Sequence, residues 1–430
     1  MTLFLMFTRL KIYVDVAESS QKDGRMEMKF DIVVVGGSTA GFYLVKELRA
    51  KGYTGTIGLI EKENALPYNR YKLSKTWMQK NDTAAPIFKE ASFFAENEIT
   101  LLLNTEVTSI LKDQKKVVTV SGKEIEYGKL VIAIGAASRQ LTLEHEDAFG
   151  IFYLRSYEDA LKIKEWGKKV KNVVLIGAGF IGLELASSFR ERGMNVTVVE
   201  YSDHPLGRVV GEEVSQYFLK MHQKHGVTFL LGTGVKSVDV NEANEVTGIV
   251  TDKGENIPCD MVIIGIGAVP NMSITESPFD FSKNISVNEF SETGEKDIYA
   301  VGDCTIWPFN KEMIHVEHWE HAQSHGKNLA LNLIKERSTP YNTLPYFWTD
   351  HYDETFEYLG HALKWEKILL RGTIAKGKFT VAYVDEQNVP QAILFANGND
   401  ERDDVEKLMT SGKKIDPEIF ADTTRSLSEM

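Results

Sequence analysis

Cysteine is nearly absent. The 430 residues hold two, Cys259 and Cys304, far apart and outside any C-x-x-C. That scarcity excludes a redox dithiol, a zinc knuckle and a cluster ligated by the chain itself, and it favours a reducing, cytoplasmic location. Long apolar runs are missing too: 43% of residues are hydrophobic, yet no window approaches the roughly 20 that a membrane span needs. There is no basic cluster either. The formal net charge is −12, with 49 Lys and Arg mixed among 61 Asp and Glu, which argues against nucleic-acid or anionic-membrane partners. The start, MTLFLMFTRLKIYVDVAESSQKDGR, is apolar but broken by Arg9 and Lys11, without a preceding basic stretch or a following cleavage site. Residues 1–28 are expected to form a poorly ordered extension rather than a signal peptide, with the functional chain beginning near Met26 or Met28.

What is present is a pair of strand–loop–helix–strand units. FDIVVVGG (30–37) is a β-branched run of strand length, AGFYLVKELRAKG (40–52) follows at helical spacing, and TGTIGLIEKE (54–63) gives a strand closing on Glu61. The loop reads Gly36-x-Ser38-x-x-Gly41, and its acid lies 25 positions after Gly36, close to the roughly 20 of a ribose-binding carboxylate in a dinucleotide fold. Ser38 stands where a middle glycine would let the backbone approach a pyrophosphate. It is the mildest replacement, being small and carrying a hydroxyl that can donate to phosphate. The second unit, NVVLIGAGFIGLELASSFRERGMNVTVVE (172–200), has the intact Gly177-x-Gly179-x-x-Gly182 and ends on Glu200. Two such units imply two dinucleotides, with electrons passing between them. Glu200 favours NADH, because a carboxylate accepts from the ribose 2′-OH and repels a 2′-phosphate. Arg208, nearby, keeps NADPH as the less favoured alternative.

With these units in place, further motifs show that the chain resembles the two-dinucleotide flavoprotein reductases of the pyridine nucleotide–disulfide oxidoreductase superfamily. Within it, the ferredoxin/rubredoxin reductase branch, including apoptosis-inducing-factor-like reductases, is most similar. The resemblance runs from residue 29 to about 412, with motifs in family order. LPYNRYKLSK (66–75) is similar to the P-Y-x-R-P-x-L-S-K segment along the flavin, with Tyr71 for a proline. LVIAIGAASR (130–139) resembles the A-T-G exit from the FAD domain, with Ile134 for the threonine. YLRSYEDA (153–160), VIIGIGAVPN (262–271) and EKDIYAVGDCT (295–305) are similar to the entry to the NAD domain, its return strand and the second flavin motif. EHWEHAQSHGKNLA (317–330) resembles the helix whose positive N-terminus faces the flavin pyrimidine. LPYFWTDHYD (344–353) resembles the P-W-F-W-S-D opening of the C-terminal domain, with Tyr346 for the first tryptophan.

The resemblance implies an FAD site of Gly36, Ser38, Thr39, Ala40, Gly41 and Glu61 from the first loop and strand, and Arg70 and Lys75 from the flavin segment. Ala133, Gly135, Arg139, Asp303, Trp319, Glu320 and Trp348 complete it. It implies an NAD site of Gly177, Gly179, Phe180, Ile181, Gly182, Glu184, Glu200, Arg208, Gly265 and Gly267. Lys75 and Glu184 would be the catalytic pair, tuning charge near the flavin rather than moving protons. Read without the family, Lys75 is a solvated lysine before a helix, Glu184 a surface position on the loop helix, and Trp348 a core aromatic. The histidines at 315, 318, 321 and 325 have helical spacings that metal sites also use, but no cysteine or acid set completes a coordination sphere, and no metal is expected. Cys304 would fill a small buried position.

The resemblance also rejects its neighbours. Asn64 stands where coenzyme A disulfide reductases and NADH peroxidases carry their cysteine, and the dithiol of glutathione- or thioredoxin-reductase-like enzymes is missing. The expected fold is α/β: two Rossmann-like domains of the glutathione-reductase-like type and a C-terminal α+β domain with an antiparallel sheet. The FAD domain would comprise 29–138 and 268–338, the NAD domain 139–267, and the C-terminal domain 339–424, with strands at 355–363, 367–375, 378–386 and 389–398 and a capped helix at 403–414. The implied function is transfer of electrons from NADH through FAD to an iron–sulfur protein of ferredoxin, rubredoxin or Rieske type, by a monomer or homodimer. The alternatives are an apoptosis-inducing-factor-like redox-controlled binding protein and an NADH oxidase or quinone reductase using small acceptors.

Overall fold

The structure, a computed structural model, describes residues 21, 22, 25, 26, 28–271, 273–398 and 401–429. Of the N-terminal extension, only the short antiparallel pair Gln21–Lys22 with Arg25–Met26, and Met28, belong to this set; the rest of the expectation for 1–28 lies outside the described residues.

The first β-branched run forms the strand Met28–Val35, whose last four residues are all buried. A continuous apolar run of this kind suits a parallel strand covered on both faces. It pairs in parallel with Ile57–Ile60 on one side, Val33 opposite Gly58, and with Glu124–Ile132 on the other, Val33 opposite Leu130. Ile99–Leu102 extends one edge, and the late strand Ile298–Ala300 returns to pair in parallel with Glu124–Ile132. The helix Thr39–Ala50 buries Leu44, Val45 and Leu48 against Leu329, Ala330 and Leu333 of the helix Trp319–Ile334. A distant piece of chain therefore closes the first unit.

The second unit is a five-stranded parallel sheet in the order Ile151–Tyr153, Met261–Ile264, Asn172–Ile176, Asn195–Val199, Val227–Leu230. The chain leaves the first sheet through Ala136–Ser138 and comes back through Ala268–Pro270. These two segments pair antiparallel, Ala268 opposite Ser138.

The C-terminal part is a five-stranded antiparallel sheet in the order Tyr346–His351, Glu354–Gly360, Pro390–Ala396, Lys378–Val384, Lys367–Thr373. Its edge strand Tyr346–His351 holds the aromatic segment that sequence patterning did not mark as a strand. The following helix runs Arg402–Ser411 and stops at Gly412, which is left-handed at φ 63°, so it ends earlier than the sequence suggested. Phe356, Tyr358, Val381 and Tyr383 of this sheet share one core with Leu183, Ala186 and Phe189 of the helix Phe180–Glu191.

Candidate active site

Both loops turn on a glycine in the left-handed region. Gly36 has φ +105° and Gly177 φ +104°. A Cβ there would lie 2.2 Å from the Ala133 carbonyl oxygen in the first case and 2.4 Å from that of Gly265 in the second, so neither position admits a side chain. Gly41 and Gly182 then let each helix start against the carbonyl of the first glycine. The middle positions differ. Ser38 (φ −71°) and Gly179 (φ −76°) are extended N-cap residues, and neither backbone demands glycine. A Cβ on Gly179 would meet nothing within 4 Å, and the Ser38 hydroxyl makes no capping bond.

The two acids repeat one geometry. Gly37 N–H donates to Glu61 Oε2 at 2.8 Å and Glu63 N–H to its Oε1 at 3.0 Å. Ala178 N–H donates to Glu200 Oε2 at 2.7 Å and Ser202 N–H to its Oε1 at 2.8 Å. Each carboxylate pins the turn after its glycine and still has lone pairs for a ribose. Burial pushes the Glu61 carboxyl up, opposed by the N–H bonds it accepts.

A cavity of about 1060 Å³ opens at the carboxyl ends of the first sheet, where Val35 and Ile60 finish their strands and Ala133 and Val301 directly follow theirs. Ligands in open α/β sheets bind at such ends. Gly36, Ser38, Thr39, Ala40, Glu61, Arg70, Ala133, Gly135, Asp303 and Trp319 line it, and Ile181 reaches it from the second unit. Burial raises the Asp303 carboxyl, partly offset by Arg155, whose Nη2 lies 3.4 Å from Asp303 Oδ2. Arg70 donates through Nη2 to Glu63 Oε1 at 2.7 Å and through Nη1 to the Arg155 carbonyl. Arg70 Nε and Trp319 Nε1 are buried donors without a protein partner. Orphaned donors beside so large a cavity fit an anionic dinucleotide, which would satisfy them. His315 faces two acceptors, with Nδ1 3.0 Å from the Thr305 carbonyl and Nε2 3.1 Å from Glu317 Oε1, so the imidazolium is the form that satisfies both.

Beside the cavity lies a buried ion pair. Lys75 Nζ bonds Glu184 Oε1 and lies 3.3 Å from Asp350 Oδ2. Ser74 Oγ donates to Glu184 Oε2, and Thr349 Oγ1 donates to Glu184 Oε1 at 2.7 Å. Lys75 and Glu184 are 8% and 4% exposed, so neither is the solvated surface group it could have been. Ser74 lines the cavity, which sets the pair directly behind its wall.

Trp348 does not line the cavity but joins it through aromatic contacts, its ring 5.1 Å from Tyr71 and 5.9 Å from Trp319. The residue standing for the family's proline, Tyr71, is thus the bridge between them. His321 and His325 are core groups. His321 Nδ1 bonds Tyr341 at 2.9 Å; His325 Nδ1 accepts from Gly302 N–H at 3.2 Å while its Nε2 meets Ser291 at 2.9 Å. Burial holds the His325 imidazole at about 3. The Cys304 thiol faces the Val301 carbonyl and is pushed up to about 12 by burial.

Other expected residues sit apart. Arg139 is exposed directly after the crossing strand, its backbone N–H donating to the Gly267 carbonyl at 3.0 Å. Arg208 is exposed in the first turn of the helix Gly207–Lys224, and Glu320 lies in the first turn of Trp319–Ile334. Phe180 meets Phe347 at 4.8 Å. Gly265 supplies the carbonyl that crowds Gly177. Sequence reasoning missed the backbone donors Gly37 and Ala178, and also Arg155, Ser74, Thr349 and Asp350. Arg155 lay inside the YLRSYEDA motif; for Thr349 and Asp350 no local pattern links them to residues more than 160 positions upstream.

Several known proteins are similar to this chain. The family model described as pyridine nucleotide-disulphide oxidoreductase matches residues 30–326, and that of the reductase C-terminal domain matches 346–430. Rhodocoxin reductase of Rhodococcus erythropolis is 32% identical over 91% of this chain and 92% of its own length. Rubredoxin-NAD(+) reductase of Pseudomonas putida is 34% identical over 79% of this chain and 89% of its own. The reductase in the covalent putidaredoxin reductase–putidaredoxin complex superposes with a TM-score of 0.87 at 28% identity, covering 93% of this chain and 97% of that one.

Proposed function

We propose, from the premise that this chain belongs to the pyridine nucleotide-disulphide oxidoreductases, that it is an FAD enzyme carrying electrons from NADH to a small iron–sulfur protein. One observation carries the reading: two dinucleotide loops share one acid clamp, the first opens into the cavity, and Ile181, in the first turn of the helix after the second, reaches the wall of that same cavity. The relatives named for rhodocoxin, rubredoxin and putidaredoxin support an iron–sulfur carrier as acceptor.

The chain's own residues divide the work. The start of the helix Thr39–Ala50, with Gly36 and Ser38 before it, would hold the FAD pyrophosphate at its positive end, and Glu61 the adenosine ribose. Asp303, with Arg155 beside it, would hold the ribityl–phosphate region of the cofactor, with Arg70 Nε and Trp319 Nε1 as further donors. FAD supplies the chemistry of accepting two electrons from a nicotinamide and releasing them singly. Gly177, Gly179 and Gly182 would receive the NADH pyrophosphate, and Glu200 its ribose hydroxyls, which disfavours a 2′-phosphate by like charge. Glu184 and Asp350 keep the Lys75 ammonium behind the cavity wall, so a fixed ion pair would tune the charge near the reacting region from a buried setting where charge acts strongly. Cys304 is buried and burial pushes its thiol up, and we assign it no part in the electron transfer. We place the division between the units at 138 and 268, where the crossing strands pair. No helix among the described residues is long and apolar enough to cross a membrane, and the cysteine content supports a reducing compartment.

The test is anaerobic reduction of the purified protein by NADH or NADPH, followed by a panel of ferredoxins, rubredoxins, quinones and oxygen. Reoxidation by an iron–sulfur protein faster than by oxygen is expected. If none outpaces oxygen, the proposed acceptor class is wrong.

A further inference from the structure

The Lys75–Glu184 pair is assembled from three parts of the chain, and the third is the edge strand of the C-terminal sheet. An ionised carboxylate only accepts hydrogen bonds, so at 2.7 Å Thr349 Oγ1 must donate to Glu184 Oε1. Its single proton is then spent. The 2.9 Å contact between Thr349 Oγ1 and His351 Nε2 can only be an Nε2–H donating to the threonine oxygen. The imidazolium would also donate from Nε2, but the surroundings leave the uncharged Nε2–H tautomer: His351 is fully buried, its Nδ1 has no hydrogen-bond partner among the described residues, His222 lies 5.2 Å away between ring centroids, and burial, reinforced by His222 and Lys75, holds it well below its ordinary value. Thr349 is 1% exposed, so no water competes for its hydroxyl. From the same strand Asp350 shares the ammonium at 3.3 Å.

We propose that Thr349, held by the Nε2–H tautomer of His351, is a positioning residue that fixes Glu184 and so sets where the Lys75 charge lies. This rests on the reading of Lys75–Glu184 as the charge pair at the reacting region. It makes the C-terminal sheet a working part of the site. With Thr349 in place the carboxylate takes three donors, Lys75, Ser74 and Thr349. Without it Glu184 loses one of the three bonds that hold its charged form in place. Lys75 is then free to move toward Asp350. The titratable groups around Glu184 and its supports are Lys75, Asp350, His351 and His222.

The experiment compares Thr349→Val, which keeps the shape and removes the hydroxyl, with Thr349→Ser, which restores it, and with Glu184→Gln, all as FAD-loaded proteins. Stopped-flow reduction of the flavin by NADH is measured across pH, and the His351 tautomer is read from ¹⁵N shifts of labelled protein, which needs no turnover. For Thr349→Val we expect full FAD content, a maximal reduction rate about 3- to 10-fold lower with half-saturating NADH unchanged, and a new loss of rate as pH falls that wild type lacks. Thr349→Ser should come within about 2-fold of wild type, and the Nε2–H tautomer should be present in wild type and the serine variant but perturbed in the valine one. Wild-type rate, pH profile and tautomer in Thr349→Val, with Glu184→Gln slow, would overturn the role of Thr349 alone. Equal impairment of the serine and valine variants would overturn it too. A wild-type rate in Glu184→Gln would overturn the reading of the pair itself.

Discussion

Gly179→Ala separates what the second loop needs for folding from what it needs for binding. The backbone there is ordinary for any residue, φ −76° and ψ 177°, and the added Cβ finds no protein atom within 4 Å. Replacing glycine at such a site stabilises by about 0.4–1 kcal/mol, because the unfolded chain loses freedom. The melting temperature of the NADH-free protein should hold or rise by up to about 3 °C. The same methyl stands where the loop lets a pyrophosphate approach. Crowding a packed contact by one methyl costs about 1–3 kcal/mol, which is about a 5- to 150-fold rise in the NADH dissociation constant. Gly177→Ala is the control. Its Cβ would lie 2.4 Å from the Gly265 carbonyl at φ +104°, adding about 1–2 kcal/mol of left-handed strain to about 1–3 kcal/mol of overpacking, so it should lower the melting temperature. Calorimetric titration of NADH into both variants, beside thermal melts, reads the two quantities separately. An unchanged NADH constant in Gly179→Ala would refute the claim that this loop closes on the pyrophosphate. A marked drop in its melting temperature would refute the backbone argument.

Ser38→Gly should keep FAD at least as tightly, since Ser38 has no bond to lose at the cap; loss of FAD on gel filtration would show that the hydroxyl is a phosphate ligand. Glu200→Gln should weaken NADH by about 10- to 150-fold, from loss of charged hydrogen bonds worth about 1.5–3 kcal/mol, and narrow the preference over NADPH in steady-state kinetics. The His315–Glu317 pair should shape stability against pH. Burial works against the His315 charge, but the bonds to Glu317 and the Thr305 carbonyl outweigh it and raise the imidazole above 6.5. Its contribution is complete below about 6.5 and is lost as pH rises through the higher folded value. For Glu317, burial is outweighed by His315 and the carboxyl lies below 4.5, so its contribution is lost only as pH falls through that lower value. Thermal melts should show this alkaline decline in wild type and not in His315→Gln.

The two nucleotide units were legible because their determinants are local. A buried parallel strand, a left-handed glycine and an acid at the end of the next strand all fall within some thirty residues. Ser38 illustrates why the one irregular letter was tolerable: at φ −71° the position asks for space rather than for glycine's backbone. Glu61 and Glu200 were found as ribose acids, but their second task was hidden, since the donors are backbone N–H groups that every residue carries. The setting of Glu184 was the least legible part. Its partners Ser74, Lys75 and Thr349 come from both sides in sequence, and only the docking of the C-terminal sheet on the helix Phe180–Glu191 brings the last within reach. The helix at 402–411 ended early because Gly412 adopts a left-handed turn before the lysines that pattern reading had included.

The crossing strands Ala136–Ser138 and Ala268–Pro270 have a consequence for how such a chain could be built or taken apart. Because they run side by side, the intervening segment enters and leaves at almost one point, with its ends about 5 Å apart at the spacing of paired strands. It can be treated as a cassette: a short linker between the two ends would leave the host sheet's own strand order intact. A segment tethered at one doubled seam also has a natural axis for rotation, so its orientation over the cavity is set by the surfaces it rests on rather than by the covalent chain.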